Sequence, residues 1–105
     1  MTKRKLSPPI IRRAVATLPE VEEGTSYGTP AWRCRGKLLA RLHQDDASIV
    51  LRVGTETRDH LLQADPETFF VTDHYAGYPM VLARLDRLRV ADLKKLLLRT
   101  MEAKR

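Results

Sequence analysis

The chain of 105 residues, 43% of them apolar, has the size of a single domain, residues 1–105, and its apolar runs are too short to span a membrane. A single cysteine, Cys34, excludes an intramolecular disulfide, and a basic start interrupted by two prolines differs from a secretion signal, so we expect a cytoplasmic protein. The net charge of +6 is concentrated in the two terminal regions and favours a polyanionic partner such as nucleic acid.

The first predicted element is a helix over residues 8–18. Ser7 is suited to cap free backbone donors, and the proline after it fits the first helical turn, where its missing N–H costs nothing. Pro19 ends the helix. The apolar face of the helix is expected to contain Ile11, Ala14, Val15 and Leu18. Residues 1–6, ahead of the helix, are expected to be flexible.

The next stretch alternates between apolar and polar positions and predicts three strands separated by tight turns. The first strand places Trp32 and Cys34 on its buried side. The second strand covers residues 38–43, the third covers residues 48–53, and a polar turn, 44–47, lies between them.

The second half of the chain predicts a short helix, two strands and a longer helix. The short helix covers residues 55–63, and the strands cover residues 69–72 and 80–85 on either side of the turn-rich segment 73–79. The last helix covers residues 91–103, because its leucines recur at the i, i+3, i+4 spacing of an amphipathic helix.

The order of elements is therefore α-β-β-β-α-β-β-α, which predicts an α+β fold. Strands with short connections favour an antiparallel sheet, and their alternation leaves only one face to bury. We expect a two-layer structure in which the helices pack on one face of a five-stranded antiparallel sheet, while the other face meets solvent.

Two motifs stand out in the sequence: Tyr-Gly-x-Pro at residues 27–30 and Asp-His-Tyr-x-Gly-Tyr-Pro at residues 73–79. They resemble the MmcQ/YjbR family. The resemblance extends over residues 11–98 and includes the segments 35–42, 51–53 and 61–66. It implies a CyaY-like, or frataxin-like, two-layer fold, in agreement with the pattern of elements. It also implies DNA as a partner, since members of the family are commonly labelled DNA-binding.

The first candidate site is the solvent-exposed face of the predicted sheet. A period of two places several arginines there, on strands that lie less than about 5 Å apart, so the guanidinium groups would form one basic patch. The patch comprises Arg33, Arg35, Arg41, Arg52 and Arg84. Guanidinium groups bind phosphate oxygens in bidentate fashion, and Leu39 and Val50 would add an apolar floor. The leading prediction is a nucleic-acid-binding module; the alternative is an ordinary polar sheet face.

The second candidate site is a groove between the loop 73–79 and the corner that precedes the first predicted strand. Its proposed members are Tyr27, Trp32, Asp73, His74, Tyr75 and Tyr78. Such a groove would bind a small anionic ligand or an unknown protein partner. The alternative is structural: the rings would cover the edge of the core and Gly77 would set a turn.

Catalysis and metal binding have little support in the sequence. No serine lies in a nucleophile motif, no glycine-rich phosphate loop occurs, and Cys34 is expected to be buried and inert. The histidines lack metal-ligand spacing, and the first helix carries Arg12 and Arg13 where a frataxin-like protein has acidic residues, so no metal and no cofactor is expected. We predict a protein that is not an enzyme; an enzyme using Asp73 and His74 is the alternative.

Overall fold

The computed structural model describes residues 7–26, 28–43 and 47–103. Its elements in chain order are α1 (Pro8–Val15), β1 (Val21–Ser26), β2 (Thr29–Cys34), β3 (Lys37–Leu42), β4 (Ser48–Arg52), α2 (Thr55–Ala64), β5 (Phe69–Phe70), a 3₁₀ helix (Asp73–Tyr75), β6 (Met80–Arg84) and α3 (Val90–Ala103). The segment 1–6, which the sequence predicts to be flexible, Tyr27 and most of the predicted turn 44–47 lie outside the described residues.

Six strands among the described residues form one sheet in the order β1-β2-β3-β4-β6-β5, and every neighbouring pair is antiparallel. The predicted number of five was wrong, because it omitted the edge strand β1. All of β1 pairs with β2, from Val21 opposite Cys34 to Ser26 opposite Thr29. As an edge strand, β1 is mostly exposed, so its sequence lacks the apolar alternation by which the other strands are recognised.

One face of the sheet, the inner face, is covered by α1 and α3 and holds the main hydrophobic core. The helices contribute Ile11, Val15, Leu93, Leu96 and Leu97 to it. The strands contribute Trp32, Leu39, Ala40, Leu42, Ile49, Leu51, Val81 and Ala83, among others. The structure is therefore an α+β fold with an antiparallel sheet, and the alternation in β4 and β6 correctly predicts which of their residues face the inner core.

The described helices have 8, 10 and 14 residues, and none of them is long and apolar enough to cross a bilayer. α2 contains no fully buried residue, although Leu61 and Leu62 are half-buried against the main core. Gly54, which precedes α2, has a φ of 90°, a backbone conformation that side chains with a Cβ rarely adopt. The junction between β4 and α2 therefore depends on glycine.

An irregularity in β3 changes which leucines are buried. Trp32 pairs with Ala40 and Arg33 pairs with Leu38, so that Leu39 is an extra residue between two successive pairs. Leu39 is only 3% exposed and belongs to the main core, whereas the alternation predicts that it lies on the opposite face. The correction has a physical cause, because an extra residue in one strand reverses the alternation beyond it.

The other face of the sheet, the outer face, is also partly buried, contrary to the prediction that it meets solvent. Val50 and Leu82 are fully buried there beneath Tyr75 of the 3₁₀ helix. Phe70 and Met80 are half-buried against this second cluster. The loop between β5 and β6 thus covers the middle of the outer face, which leaves the ends of that face for other roles.

Cys34 is half-buried, rather than buried as predicted, because it is the last residue of β2 and lies beside an open turn. It packs against the edge of the core and lines two shallow hollows that Met101 of α3 also lines. We expect a thiol reagent to label the native protein at a measurable rate that is slower than the rate in denaturant. Met101→Ala should increase the native rate, whereas Lys95→Ala should not. Equal rates in native and denatured protein would contradict this placement.

Candidate nucleic-acid interface

Four of the five arginines of the predicted patch lie on the outer face. Arg41 pairs with Val50, which belongs to the outer cluster, and Arg52 follows Val50 by two residues on the same strand. Arg84 follows Leu82 by two residues in the same way. Arg33 follows the core residue Trp32 and therefore lies on the opposite side of β2. The strand pairings thus bring these four positions to one side of the sheet.

Arg35 is not on the outer face. It lies in the turn between β2 and β3, with a φ of 53°, and its Nε donates a hydrogen bond to a carboxylate oxygen of Glu20 at 2.7 Å. This hydrogen bond, with the charge of Glu20, raises the pKa of Arg35 above its ordinary value. Arg35 is therefore paired with an acidic side chain and separate from the outer arginines.

Arg41 is buried, with only 2% of its surface exposed, although the sequence predicts an exposed side chain. Its Nε and Nη2 donate to the Tyr75 hydroxyl at 3.0 and 2.6 Å, and its Nη1 donates to the Thr29 hydroxyl and to the Leu42 carbonyl oxygen, both at 3.1 Å. A buried guanidinium group requires such acceptors, because their absence would leave an uncompensated desolvation cost. Arg41 therefore holds Tyr75 on the sheet and is not accessible to a ligand.

Three guanidinium groups remain on this face, those of Arg33, Arg52 and Arg84, here called the outer arginines. Arg33 is half-buried and donates through Nη2 to the carbonyl oxygen of Thr25 at 3.3 Å. Arg84 is exposed; its Nη1 donates to the carbonyl oxygen of Glu67 at 3.1 Å, and its Cζ lies 4.4 Å from the ring centre of Phe70.

The third outer arginine, Arg52, is half-buried at the end of β4. Its Nε is shielded from solvent and has no hydrogen-bond partner among the described residues. Among the described residues, none of the outer arginines forms an ion pair with a carboxylate. Four other arginines do so: Arg12, Arg35, Arg58 and Arg87. None of the outer guanidinium groups is therefore engaged in an ion pair among the described residues, although Glu22 on β1 is the cross-strand partner of Arg33.

The predicted aromatic groove is not assembled. Trp32 is 1% exposed in the inner core, where its Nε1 donates to Glu23 at 3.0 Å, while Tyr75 is buried on the outer face. The two rings therefore lie on opposite sides of the sheet, and Tyr27 lies outside the described residues. Asp73 and His74 are exposed on the 3₁₀ helix, with the His74 ring edge-on to Tyr75 at 4.7 Å.

Tyr78 is the exception among these aromatic residues, because 57% of its surface is exposed. Its backbone is nevertheless fixed. The side chain of Arg58 in α2 donates through Nη1 to the carbonyl oxygens of Ala76 at 3.3 Å and Tyr78 at 2.6 Å. Sequence reasoning did not identify Arg58 as a site residue, since a polar residue of a short surface helix carries no signal of a contact with a loop 20 residues away.

Potential metal ligands are not grouped: among the residues that the structure describes, no three His, Cys, Asp or Glu side chains lie close enough together to hold a metal ion. Asp73 and His74, the two residues proposed for the alternative enzyme, are neighbours in sequence and are exposed on the 3₁₀ helix. On the outer face, the described groups suited to a ligand are therefore the outer arginines, while Tyr78 is the most exposed of the described Tyr and Trp residues of the predicted groove.

Comparison with known proteins decides the family. The family model described as YjbR matches residues 16–100. The chain belongs to the YjbR family. The match includes all three outer arginines and the whole loop that carries Tyr75 and Tyr78. The family resemblance of the sequence is therefore confirmed over the part of the chain that forms the candidate interface.

Similar sequences occur in mycobacteria. The chain is 30% identical to the uncharacterized protein Rv2570 of Mycobacterium tuberculosis, in an alignment of 105 positions that covers 83% of this chain and 79% of the relative. It matches the uncharacterized protein Mb2600 of Mycobacterium bovis with the same identity and coverage.

The fold has a counterpart among solved structures. It is similar to the crystal structure of Deinococcus radiodurans protein DR2400, a DUF419 domain, with a TM-score of 0.71 and 20% sequence identity. The alignment covers 92% of this chain and 77% of the other. At 20% sequence identity this similarity shows that the two proteins share a fold, and it shows nothing further.

Proposed function

We propose that this YjbR-family protein is a cytoplasmic, non-catalytic module that binds the phosphate backbone of nucleic acid on its outer face. The observation that carries the proposal is the set of three outer arginines without a carboxylate partner in the described part of the chain. Guanidinium groups that are not neutralised by the protein are suited to phosphate oxygens, which accept two N–H groups at once.

The spacing of the outer arginines suits a chain of phosphates. Ala40 on β3 pairs with Trp32 on β2 and with Leu51 on β4, so these three residues form one row across the sheet. Arg33 and Arg52 each follow a residue of this row. Their backbone positions are therefore level and two strand spacings apart, about 10 Å. Arg52 pairs with Met80 on β6, and Arg84 lies four residues further along that strand, so the backbone positions of Met80 and Arg84 are about 13 Å apart. Nucleic acid carries negative charge at closer intervals than these, so one molecule could meet all three groups.

The contacts support binding without recognition of base sequence. The outer face is a sheet partly covered by a short loop, and no described helix projects from it to enter a DNA groove. Phosphate contacts fix position but carry no sequence information. We expect a dissociation constant on the order of 10⁻⁴ to 10⁻⁶ M at physiological salt and little dependence on sequence.

We also propose that the fold is of the CyaY, or frataxin-like, type. Support comes from the first and last elements, α1 and α3, which lie together on the inner face of the antiparallel sheet. In this arrangement α1 and α3 lie on the inner side of the sheet, and the ends of the outer face are left for ligands. The alternative groove of Trp32 and Tyr75 has no comparable support, since its rings lie on opposite faces.

The proposal is tested by a charge-matched comparison of two triple variants. The first replaces Arg33, Arg52 and Arg84 with glutamine. The second replaces Arg13, Arg89 and Arg99, which are exposed on or beside α1 and α3. Both remove three positive charges. We expect the first variant to lose retention of oligonucleotides at low salt and the second to keep most of it, with unchanged unfolding midpoints in both.

Equal retention by the two variants would contradict the proposal, because net charge and not the outer face would then determine binding. The absence of retention by the wild-type protein would contradict it as well. A retention assay with a fluorescent oligonucleotide of mixed sequence, at about 50 and 200 mM salt, distinguishes these results.

A further inference from the structure

We infer that the nucleic acid bound on the outer face is single-stranded, and that Tyr78 is a platform on which one base stacks beside a phosphate held by Arg52. This inference rests on the proposed function and adds the class of nucleic acid. It starts from the ring of Tyr78, which is available for stacking because 57% of the residue is exposed.

The backbone of Tyr78 is held in place although its ring is exposed. Its N–H donates to the carbonyl oxygen of Tyr75 at 3.0 Å, and its own carbonyl oxygen accepts from Arg58 at 2.6 Å. The carbonyl oxygen of the next residue, Pro79, accepts from the N–H groups of Val53 and Gly54 at 3.2 and 3.1 Å. Because the backbone is already ordered, only the side-chain rotation of Tyr78 has to be restricted when a base stacks on the ring.

The backbone of Tyr78 lies at the same end of the sheet as two of the outer arginines. Tyr78 precedes Met80 by two residues, and Met80 pairs with Arg52. Arg33 is level with Arg52, across β3. An exposed ring at the same end of a sheet as guanidinium groups supplies the two features that proteins use to bind single strands, in which the charge follows the backbone and the ring stacks on a base.

A second stacking surface lies at the position of Arg84. Its guanidinium group lies over the ring of Phe70 at 4.4 Å, so one face of the guanidinium plane is occupied by the protein. Arg84 itself is exposed, and bases stack on guanidinium planes as they do on aromatic rings. In the inferred complex, Tyr78 and Arg84 thus provide stacking groups at the two ends of the row of outer arginines.

A duplex could not use these groups. Its bases are stacked on one another inside the helix, so their faces meet Tyr78 only after a base has been unpaired and flipped out, at a cost of a few kcal/mol. Phosphate contacts alone would favour the duplex, because it has the higher density of negative charge. A preference for single strands that depends on Tyr78 therefore distinguishes stacking from simple charge attraction.

The experiment compares a labelled 20-nucleotide single strand with the duplex of the same sequence, by fluorescence anisotropy at one salt concentration. Wild-type protein is expected to bind the single strand more tightly. Tyr78→Ala should lower the affinity for the single strand by roughly 5- to 150-fold and leave duplex binding unchanged. Tyr78→Phe should bind as wild type does, because the ring remains. Leu98→Ala, at an exposed apolar position of α3, is the control and should have no effect.

Equal or tighter binding of the duplex by wild type would overturn the inference, and so would wild-type affinity of Tyr78→Ala for the single strand. Either result leaves the proposed function intact if the outer-arginine variant still loses retention. A different result would contradict the proposed function itself: the outer-arginine variant would then bind both oligonucleotides as wild type does.

Discussion

Replacement of Tyr75 with alanine is expected to destabilise the protein by about 3–5 kcal/mol, as truncations of buried aromatic residues do. The ring is 6% exposed and covers Val50 and Leu82 on the outer face. Its removal would open a cavity over two fully buried side chains. It would also take away the hydroxyl that accepts two hydrogen bonds from Arg41, which is itself buried.

The contribution of the hydroxyl is isolated by Tyr75→Phe, which keeps the ring. We expect this variant to lose about 1–3 kcal/mol, because two N–H donors of a buried guanidinium group lose their acceptor. Tyr78→Phe is the matched control, since it removes a hydroxyl from an exposed ring and should change stability by less than about 0.5 kcal/mol.

The measurement for all three variants is the free energy of unfolding from urea denaturation, with the slope m compared between variants. A loss for Tyr75→Phe no larger than for Tyr78→Phe would show that Arg41 does not depend on the hydroxyl. A loss below about 1 kcal/mol for Tyr75→Ala would show that the loop is not packed on the outer face.

Leu97→Ala is expected to cost about 2–5 kcal/mol, the range for leucine truncation in a core. Leu97 is 1% exposed and packs with Leu93 between α3 and the sheet. α3 is the longest described helix, and an amphipathic helix of 14 residues derives most of its stability from such packing rather than from helix propensity.

Lys95→Ala is the control for this prediction, because Lys95 is exposed on the same helix and alanine has equal or better helix propensity. Leu97→Ala therefore removes a buried side chain from the core, whereas Lys95→Ala removes only an exposed one. Thermal unfolding followed by circular dichroism at 222 nm compares them directly. Midpoints that fall by the same amount would show that α3 is not docked on the inner face.

The elements with a regular pattern were predictable from the sequence. β4 and β6 direct alternate residues into the inner core, and α3 buries leucines at helical spacing, so the inner core follows from periodicity. β1 was not predictable in this way, because an exposed edge strand is held by its backbone pairing with β2 and not by apolar side chains. The irregularity at Leu39 leaves no trace either, since Leu38, Leu39 and Ala40 are all apolar.

The candidate site was predictable in its composition and less so in its geometry. Alternation predicts that Arg33, Arg41, Arg52 and Arg84 share one face, and the strand pairings place them so. The burial of Arg41 was not predictable, because it depends on a tyrosine 34 residues further along the chain that folds over the sheet. Contacts between distant segments are decided by the packing of loops, which periodicity does not describe.

The salt dependence of oligonucleotide binding tests the role of the outer arginines most directly. Each phosphate contact contributes about −0.9 to the slope of log K against log salt on duplex DNA, and about −0.7 on a single strand. Three contacts therefore predict a slope of about −2 for a single strand, and replacement of Arg33, Arg52 and Arg84 with glutamine should bring it close to zero. The variant at Arg13, Arg89 and Arg99 should keep the wild-type slope. Equal slopes for wild type and the outer-arginine variant would contradict binding on the outer face.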